Sequence, residues 1–259
     1  MDLLQRGTKQ SPDRQLIKMP RALARGGGDR SGIDYLDVQL SFLDQVDNPA
    51  VRGEPDRPDI QYAVKEVCRL MSRTTARAWE MLKRIGRYLK GKPRLVWKFC
   101  WQAEVTVVDV TSDANWAGCR RGRKSTSGGT LMIGSHLIRT YSKTQSVIAK
   151  SSGESELYAV VRASTEGLGI LTLLKDFGMH FAKVRLGMDA SAAIGMAQRT
   201  GLNKGRHVDV DVLWIQDKVS SKALAIIKIK NKYNPANLMT KHLPREEFRQ
   251  IMDGLDHRH

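Results

Sequence analysis

Three acidic residues occupy positions from which they could share a metal ion. Asp113 follows a predicted strand, Val105 to Val110, and Asp189 directly follows a second one, Val184 to Met188. Glu156 lies in the first turns of a long helix predicted between the two strands. If the strands are parallel neighbours joined by that helix, both aspartates emerge at the same edge of the sheet. The spacing therefore predicts an acidic cluster, although each acid taken alone could also be a helix cap or a solvated surface charge.

Such a cluster indicates a particular chemistry. Carboxylates within a few ångströms repel one another and raise one another's pKa values, and a divalent cation removes that repulsion. Hard oxygen ligands suit Mg²⁺, and two such ions about 3.5–4 Å apart can activate a water molecule and stabilise the leaving oxygen in phosphodiester cleavage. The acids therefore predict a metal-dependent phosphodiesterase site.

The elements that must position these acids follow from hydrophobic periodicity, which alternates between strand and helix spacing in the second half of the chain. Asn234 and Pro235 open a final helix, with Asn234 as its N-cap. The other predicted elements are strands over Val105 to Val110, Thr130 to Ile133, Leu137 to Ser142, Val184 to Met188 and Ala223 to Ile229, and helices over Ser152 to Phe177, Ser191 to Gln198 and Val208 to Val219.

A smaller set of elements precedes them. Asp59 is predicted to cap one helix, and Thr74 or Thr75 a second one that ends at Lys90 to Pro93. Alternating apolar residues from Leu95 to Trp101 then predict a half-buried strand. Such a stacked helix pair with a strand is typical of a structural connector.

Composition and charge narrow the function classes. The 259 residues carry a formal net charge of +16, which favours a polyanionic partner such as nucleic acid. A hydrophobic fraction of 41% and a charged fraction of 27% are typical of a globular protein. The chain has no apolar run of eighteen residues, no signal peptide at its N-terminus and no C-x-x-C spacing among its three cysteines. We expect an intracellular protein, in a cytoplasmic particle or the nucleus, that is neither secreted nor bound to a membrane.

Six motifs surround the acids in a fixed order. They are S-D-A-N-W-A-G from Ser112, R-K-S-T-S-G from Arg123, S-S-G-E-S-E-L-Y-A from Ser151, M-D-A-S-A-A-I from Met188, R-H-V-D from Arg206 and P-A-N-L-M-T-K-H-L from Pro235. In this order and at these intervals they resemble the RNase H domain of copia-type retrotransposon polyproteins. The resemblance covers about Arg57 to Leu243, because R-P-D-I-Q-Y-A-V and L-K-R-I-G-R-Y-L-K-G are similar to the segment that links reverse transcriptase to RNase H in that family.

The resemblance implies a fold and a metal site. The fold would be α/β and RNase H-like, a five-stranded mixed sheet flanked by helices and preceded by a short helical connector. Four acids would hold two Mg²⁺ ions, for which Mn²⁺ could substitute. Asp113, Glu156 and Asp189 match the first three acids, and Glu154 is the rival for the second. Glu156 is preferred because the family's acid directly precedes a large apolar residue, whereas Glu154 would be a first-turn charge favoured by the helix dipole.

The fourth acid is where this sequence departs from the family. Asn237 stands in the motif that usually reads Ala-Asp. Its carbonyl oxygen can still approach a cation, but without negative charge. The implied function is therefore Mg²⁺-dependent cleavage of the RNA strand of RNA–DNA hybrids, and the alternative is a weak or inactive remnant that only binds nucleic acid.

Basic residues near Asp113 are the predicted nucleic-acid contacts. Arg121, Arg123, Lys124 and Lys143 could meet phosphates without reading sequence, or could belong to an ordinary solvated face. His207, in R-H-V-D, is a surface or capping histidine or has a role in product release. Trp116 could stack on a sugar or base, but an aromatic residue behind a strand end is more often part of the core.

The same resemblance suggests how the chain is divided. Residues 1–56 would be a poorly ordered or degraded reverse transcriptase remnant, 57–104 the helical connector, 105–243 the RNase H domain and 244–259 a C-terminal helix and tail. The chain lacks a Tyr-x-Asp-Asp sequence, so we expect no polymerase activity from it alone. The expected partners are an RNA–DNA hybrid and the reverse transcriptase portion of the same polyprotein.

Overall fold

The computed structural model describes residues 57–71, 75–201, 209–255 and 257–258. The α-helices are α1 (Pro58–Cys68), α2 (Ala76–Gly91), α3 (Ser152–Asp176), α4 (Ser191–Gln198), α5 (Asp209–Ser220) and α6 (Arg245–Gly254). The strands are β1 (Val96–Trp97), β2 (Val107–Asn115), β3 (Thr126–Ile133), β4 (His136–Thr144), β5 (Lys183–Met188), β6 (Leu224–Lys228) and β7 (His257–Arg258). Two short 3₁₀ helices, Asn231–Tyr233 and Pro235–Met239, lie between β6 and α6.

Five of the strands form one mixed sheet in the order β4-β3-β2-β5-β6. Strands β2, β3 and β4 run antiparallel as consecutive hairpins, while β2, β5 and β6 are parallel. The short strands β1 and β7 pair separately. The predicted α/β class, with a five-stranded mixed sheet flanked by helices, is confirmed. The parallel pairing of β2, which contains Asp113, with β5, which ends just before Asp189, is confirmed as well.

Helix α3 packs directly on the centre of this sheet. Val160 and Ala163 are fully buried on its inner face, in the same cluster as Val110 and Val184 of the sheet. At Gly167 a Cβ atom would lie 2.7 Å from a methyl group of Val110 and 2.9 Å from one of Val184, so only glycine allows this approach. By length and composition alone α3 could cross a membrane. Here it is the core helix that brings Glu156 to the end of β2.

The helices α1 and α2 form their own small core and also pack on the sheet. Ile60, Val64 and Leu82 are among the residues that they bury against each other. Gln61 Nε2 donates to the Thr140 carbonyl oxygen at 3.3 Å, and Lys65 Nζ donates to Thr126 Oγ1 at 2.7 Å. The predicted connector is thus in contact with β3 and β4, and the division of the chain into domains stays a prediction.

Two local predictions in this connector are wrong. Asp59 does not cap α1, because Pro58 already occupies the first turn and Arg57 is the N-cap residue. The Asp59 carboxylate instead accepts hydrogen bonds from the Arg57 guanidinium at 3.0 and 2.8 Å. The strand expected from Leu95 to Trp101 shortens to Val96–Trp97, because among the described residues it pairs only with the two-residue strand β7.

Local sequence signals predicted the helix cap at Thr75 but not the end of strand β2. Thr75 caps α2 as predicted, since its hydroxyl accepts from Ala78 N at 3.2 Å. Strand β2, however, extends to Asn115, so Asp113 lies inside the strand rather than after it. The polar residues there are weak strand formers, but their pairing with β3, Asp113 opposite Gly128, continues the ladder.

Candidate active site

The structure brings Asp113, Glu156 and Asp189 together. One carboxylate oxygen of each residue lies within 4.8 Å of those of the other two. Strands β2 and β5 place the two aspartates at the same height, because Thr111 pairs with Gly187 and each aspartate follows its paired residue by two positions. Glu156 reaches them from the first turns of α3. Elements distant in sequence thus build one acidic cluster at the carboxyl end of the parallel strands.

Glu154 points to a different set of partners. Its Oε2 accepts from Lys150 N at 2.9 Å, and its Oε1 accepts from the Tyr158 hydroxyl at 3.2 Å. Its backbone N–H donates to the N-cap residue Ser151 at 3.1 Å. Glu154 therefore stabilises the start of α3, and Glu156 is the glutamate that the structure brings to the aspartates.

Burial and like charge shift the protonation of the cluster. Asp113 is only 4% exposed. Burial raises the pKa of its carboxyl group, while Lys241 and the Thr240 hydroxyl act in the opposite direction. The pKa of Glu156 rises to about 8, first because of burial and then because of the charges of Asp113 and Asp189. Without a cation, Glu156 therefore keeps its proton at neutral pH.

The same atoms fit a divalent cation. Oε2 of Glu156 is buried and has no hydrogen-bond partner among the described residues. A buried carboxylate oxygen without a partner is costly, and coordination to a cation would satisfy it. Carboxylate oxygens are the ligands that Mg²⁺ and similar hard cations prefer. The cluster is thus compatible with a divalent metal ion held by Asp113, Glu156 and Asp189.

Asn237 lies in the 3₁₀ helix Pro235–Met239, which packs against β2 and which Asn234 caps as predicted. Its Nδ2 donates to the Asn231 carbonyl oxygen at 2.7 Å and to Asn231 Oδ1 at 3.0 Å. Its own Oδ1 is buried and has no hydrogen-bond partner among the described residues. The amide nitrogen is therefore held by Asn231, while the buried side-chain oxygen is left without a donor.

Sequence reasoning missed two further residues at the site. The Thr240 hydroxyl donates to Asp113 Oδ2. It also lies 3.3 Å from the main-chain carbonyl oxygen of Asn237. Lys241 Nζ is 3.9 Å from the same Asp113 oxygen. Both belong to the motif P-A-N-L-M-T-K-H-L, so a signal was present, but spacing alone did not show that they face an acid on β2.

The predicted nucleic-acid residues lie around the first hairpin of the sheet. Arg121 and Arg123 are exposed in the β2–β3 turn, Lys124 is half-buried at its end and Lys143 is exposed on β4 opposite Ser127. None of these four basic side chains pairs with an acid in the part of the chain that the structure describes. They are free to meet phosphates, which leaves their role a prediction.

Two other candidates have different outcomes. Trp116 is 46% exposed, and its Nε1 donates to the Ala149 carbonyl oxygen at 3.0 Å, so it is neither a fully buried core residue nor a free side chain. This bond ties the end of β2 to the segment that leads into α3. His207 lies outside the described residues.

Comparisons with known proteins agree with the motifs. No family model matches the chain. The chain is 30% identical over 193 residues, 74% of its length, to the retrovirus-related Pol polyprotein from transposon TNT 1-94 of Nicotiana tabacum. It is 31% identical over 197 residues, 75% of its length, to the Pol polyprotein from transposon RE1 of Arabidopsis thaliana. It spans 14% and 13% of the lengths of these two relatives.

Among solved structures, a similar one is LC11-RNase H1, which was isolated from compost. The TM-score is 0.42 at 16% identity, and the match covers 57% of this chain and 99% of that one. The sheet order and the acidic cluster define the class, an α/β protein with a five-stranded mixed sheet and an acidic site at the end of its central strands. The chain is a homologue of the retrovirus-related Pol polyproteins of plant transposons, as its motifs predicted.

Proposed function

We propose that the chain is a Mg²⁺-dependent nuclease of the RNase H type, which cleaves the RNA strand of RNA–DNA hybrids as part of a copia-type retrotransposon polyprotein. The observation that carries the proposal is the convergence of Asp113, Glu156 and Asp189, with one buried Glu156 oxygen lacking a hydrogen-bond partner. A structural role would pair the buried Glu156 oxygen with a donor. Like charges gathered around an unpaired oxygen are instead typical of a cation site.

The residues of the site have different proposed roles. Asp113, Glu156 and Asp189 would hold the cation. A bound Mg²⁺ supplies Lewis acidity, which activates water and stabilises the leaving oxygen of a phosphodiester. Thr240 orients Asp113 by donating to its Oδ2, and the pairing of β2 with β3 keeps the aspartate backbone rigid. A rigid set of ligands is preorganised for the transition state.

The proposed partner is the hybrid itself. The net charge of +16 attracts a polyanion. The β2–β3 turn exposes Arg121 and Arg123, which follow Asp113 closely in the sequence. Contacts of arginine and lysine with phosphates position a nucleic acid without reading its sequence. We also propose that the reverse transcriptase portion of a polyprotein is a partner and that the protein acts inside the cell, in a cytoplasmic particle or the nucleus.

The alternative is a protein that binds nucleic acid without cutting it. Asn237 favours it, because the fourth position offers no negative charge and its amide nitrogen is bound to Asn231. In this case the fold and the basic surface would persist while the metal site binds its cation too weakly to act.

An assay of the purified full chain separates the two. A hybrid with labelled RNA should be cut when Mg²⁺ is present and remain intact in chelator, while duplex DNA of the same sequence should survive. The RNA products should end in a 3′ hydroxyl, because a water molecule rather than the ribose 2′ hydroxyl is the proposed nucleophile. Salt-sensitive binding without any cutting would favour the alternative, and cutting that persists in chelator would contradict both.

A further inference from the structure

Lys241 places a positive charge beside the acidic cluster. Its Nζ lies 3.9 Å from Asp113 Oδ2 and 3.5 Å from Asn231 Oδ1, and its side chain is 37% exposed. Of the ion pairs formed within the described residues, this is the only one that involves a member of the cluster. The ammonium group therefore lies near oxygens of Asp113 and Asn231 while its side chain stays partly exposed to solvent.

The Asp113 oxygen that faces Lys241 is already in use. Oδ2 accepts a hydrogen bond from the Thr240 hydroxyl and faces the Lys241 ammonium group. A carboxylate can bridge two metal ions by giving one oxygen to each. A second cation that used Oδ2 would have to share this oxygen with the Thr240 hydroxyl and approach the positive charge of Lys241.

The count of charges points the same way. The three ionised carboxylates of the cluster carry three negative charges. One divalent cation together with Lys241 neutralises them, whereas two divalent cations with Lys241 leave an excess of two positive charges. A site with four carboxylates balances two divalent cations, but Asn237 supplies no charge here. Uncompensated charge in a partly buried site is costly.

We propose that the site takes one divalent cation, and that the Lys241 ammonium group supplies the second positive charge beside Asp113. This inference rests on the proposed function, since the divalent cation is its premise, and it departs from the two ions that the family resemblance implies. Lys241 acts here through charge and position, and no bond to the substrate is assigned to it.

Counting bound cations tests the inference without relying on hydrolysis. Mn²⁺ binding to the full chain would be measured by electron paramagnetic resonance and calorimetry for the native protein, Lys241→Met, Lys241→Arg and the control Lys230→Met. Lys230 is exposed and directly precedes the 3₁₀ helix Asn231–Tyr233. The native protein, Lys241→Arg and Lys230→Met should each bind one Mn²⁺. Lys241→Met should bind its first Mn²⁺ about tenfold more tightly, because the repelling charge is gone, and should take up a second.

A second measurement needs no cation. In chelator, Lys241→Met should melt at a lower temperature than the native protein and Lys241→Arg, because the Asp113 carboxylate then lacks its positive neighbour. Lys241→Gln serves the same purpose if the methionine variant does not fold.

The outcomes separate this inference from the proposed function. Two Mn²⁺ per native chain, or Lys241→Met binding one Mn²⁺ with native affinity, would overturn the inference even if the hybrid is cut. One Mn²⁺ per native chain with the expected Lys241→Met behaviour, but no cleavage of the hybrid, would overturn the proposed function and support the inference. A native chain that binds no Mn²⁺ would overturn both.

Discussion

Strand β2 carries two aspartates with opposite surroundings. Asp109 pairs in register with Arg185 on β5, whose guanidinium donates to both carboxylate oxygens at 2.5 and 2.7 Å. Asp113, further along the same strand, meets two more carboxylates instead. The first aspartate is balanced by its neighbour on the sheet, whereas the second faces two like charges and has one lysine, Lys241, 3.9 Å away.

The difference between Asp109 and Asp113 follows from their positions along the sheet. In the middle of β2 and β5 the ladder sets one side chain opposite another, and an acid there finds a single fixed partner. The pairing of β2 with β5 stops near the carboxyl end of β5. Beyond this point β2 is contacted by α3 and by the 3₁₀ helix Pro235–Met239. The negative charges of the acidic cluster are tolerated only if a cation compensates them. Asp113 is therefore a candidate for function, whereas Asp109, which has its own ion-pair partner, is a candidate for stability.

The largest expected effect comes from exchanging each aspartate for its neutral amide. Asp113→Asn should reduce hybrid cleavage at saturating Mg²⁺ by at least about 100-fold, because a charged ligand is lost from the proposed cation site. Asp109→Asn is the matched control and should stay within about twofold of the native rate, since only an exposed ion pair is lost. Initial rates on a labelled RNA–DNA hybrid provide the measurement. Similar rates for both variants would remove the distinction between the two ends of β2.

A second prediction concerns pH and stability in chelator. The folded-state pKa of Glu156 is raised to about 8, so the folded protein holds a proton that the unfolded chain releases near its ordinary pKa. The stability that this proton contributes is present at low pH and is lost as pH rises through about 8. We expect the free energy of unfolding to fall by about 2 kcal/mol between pH 6 and pH 8.

The check is a series of denaturant titrations in chelator from pH 5.5 to pH 8.5. Glu156→Gln should flatten the profile, because glutamine has no proton to lose, whereas Asp109→Asn should keep the native slope. Added Mg²⁺ should raise stability most at high pH, where the carboxylates are ionised. A native profile as flat as that of Glu156→Gln would show that Glu156 does not hold this proton.

A smaller effect is expected when the missing acid is restored. Asn237→Asp should lower the Mg²⁺ concentration needed for half-maximal cleavage several-fold, because a fourth carboxylate strengthens cation binding. It should also destabilise the chelated protein by about 1 kcal/mol, since a carboxylate cannot donate the two hydrogen bonds that Asn237 makes to Asn231.

Mg²⁺ titrations of the cleavage rate and thermal unfolding with and without Mg²⁺ measure both effects. Gln198→Glu adds the same charge at an exposed position at the end of α4 and serves as control. If Asn237→Asp needs as much Mg²⁺ as the control and gains no more thermal stability from it, Asn237 does not contribute to the metal site.

The smallest effect concerns the basic turn. The double variant Arg121→Ala with Lys124→Ala should reduce the slope of log affinity against log salt for hybrid binding by roughly 1–2, because each phosphate contact releases about one counterion. Lys175→Ala with Lys183→Ala is the matched control, since these lysines are exposed at the opposite end of α3 and β5. Equal slopes for the two double variants would assign Arg121 and Lys124 to the solvated face.

Local patterns were enough to predict much of this protein. Hydrophobic periodicity predicted α4 with the bounds Ser191–Gln198 that it has, and placed the parallel strand β5 within one residue of its start. The Thr75 and Asn234 caps were also predictable, because a cap is a hydrogen bond between residues two or three positions apart. The acids and the missing charge at Asn237 are visible in the sequence itself.

Only the tertiary structure decided which of these residues meet. The extension of β2 through Asp113 depends on β3, and the choice of Glu156 over Glu154 depends on how α3 lies on the sheet. Thr240 donates to Asp113 across 127 positions of sequence. Periodicity and caps report on the nearest few residues, whereas these contacts arise from strand pairing and close packing between distant segments. The residue types at the site could therefore be read from the sequence, but the charge beside Asp113 required the fold.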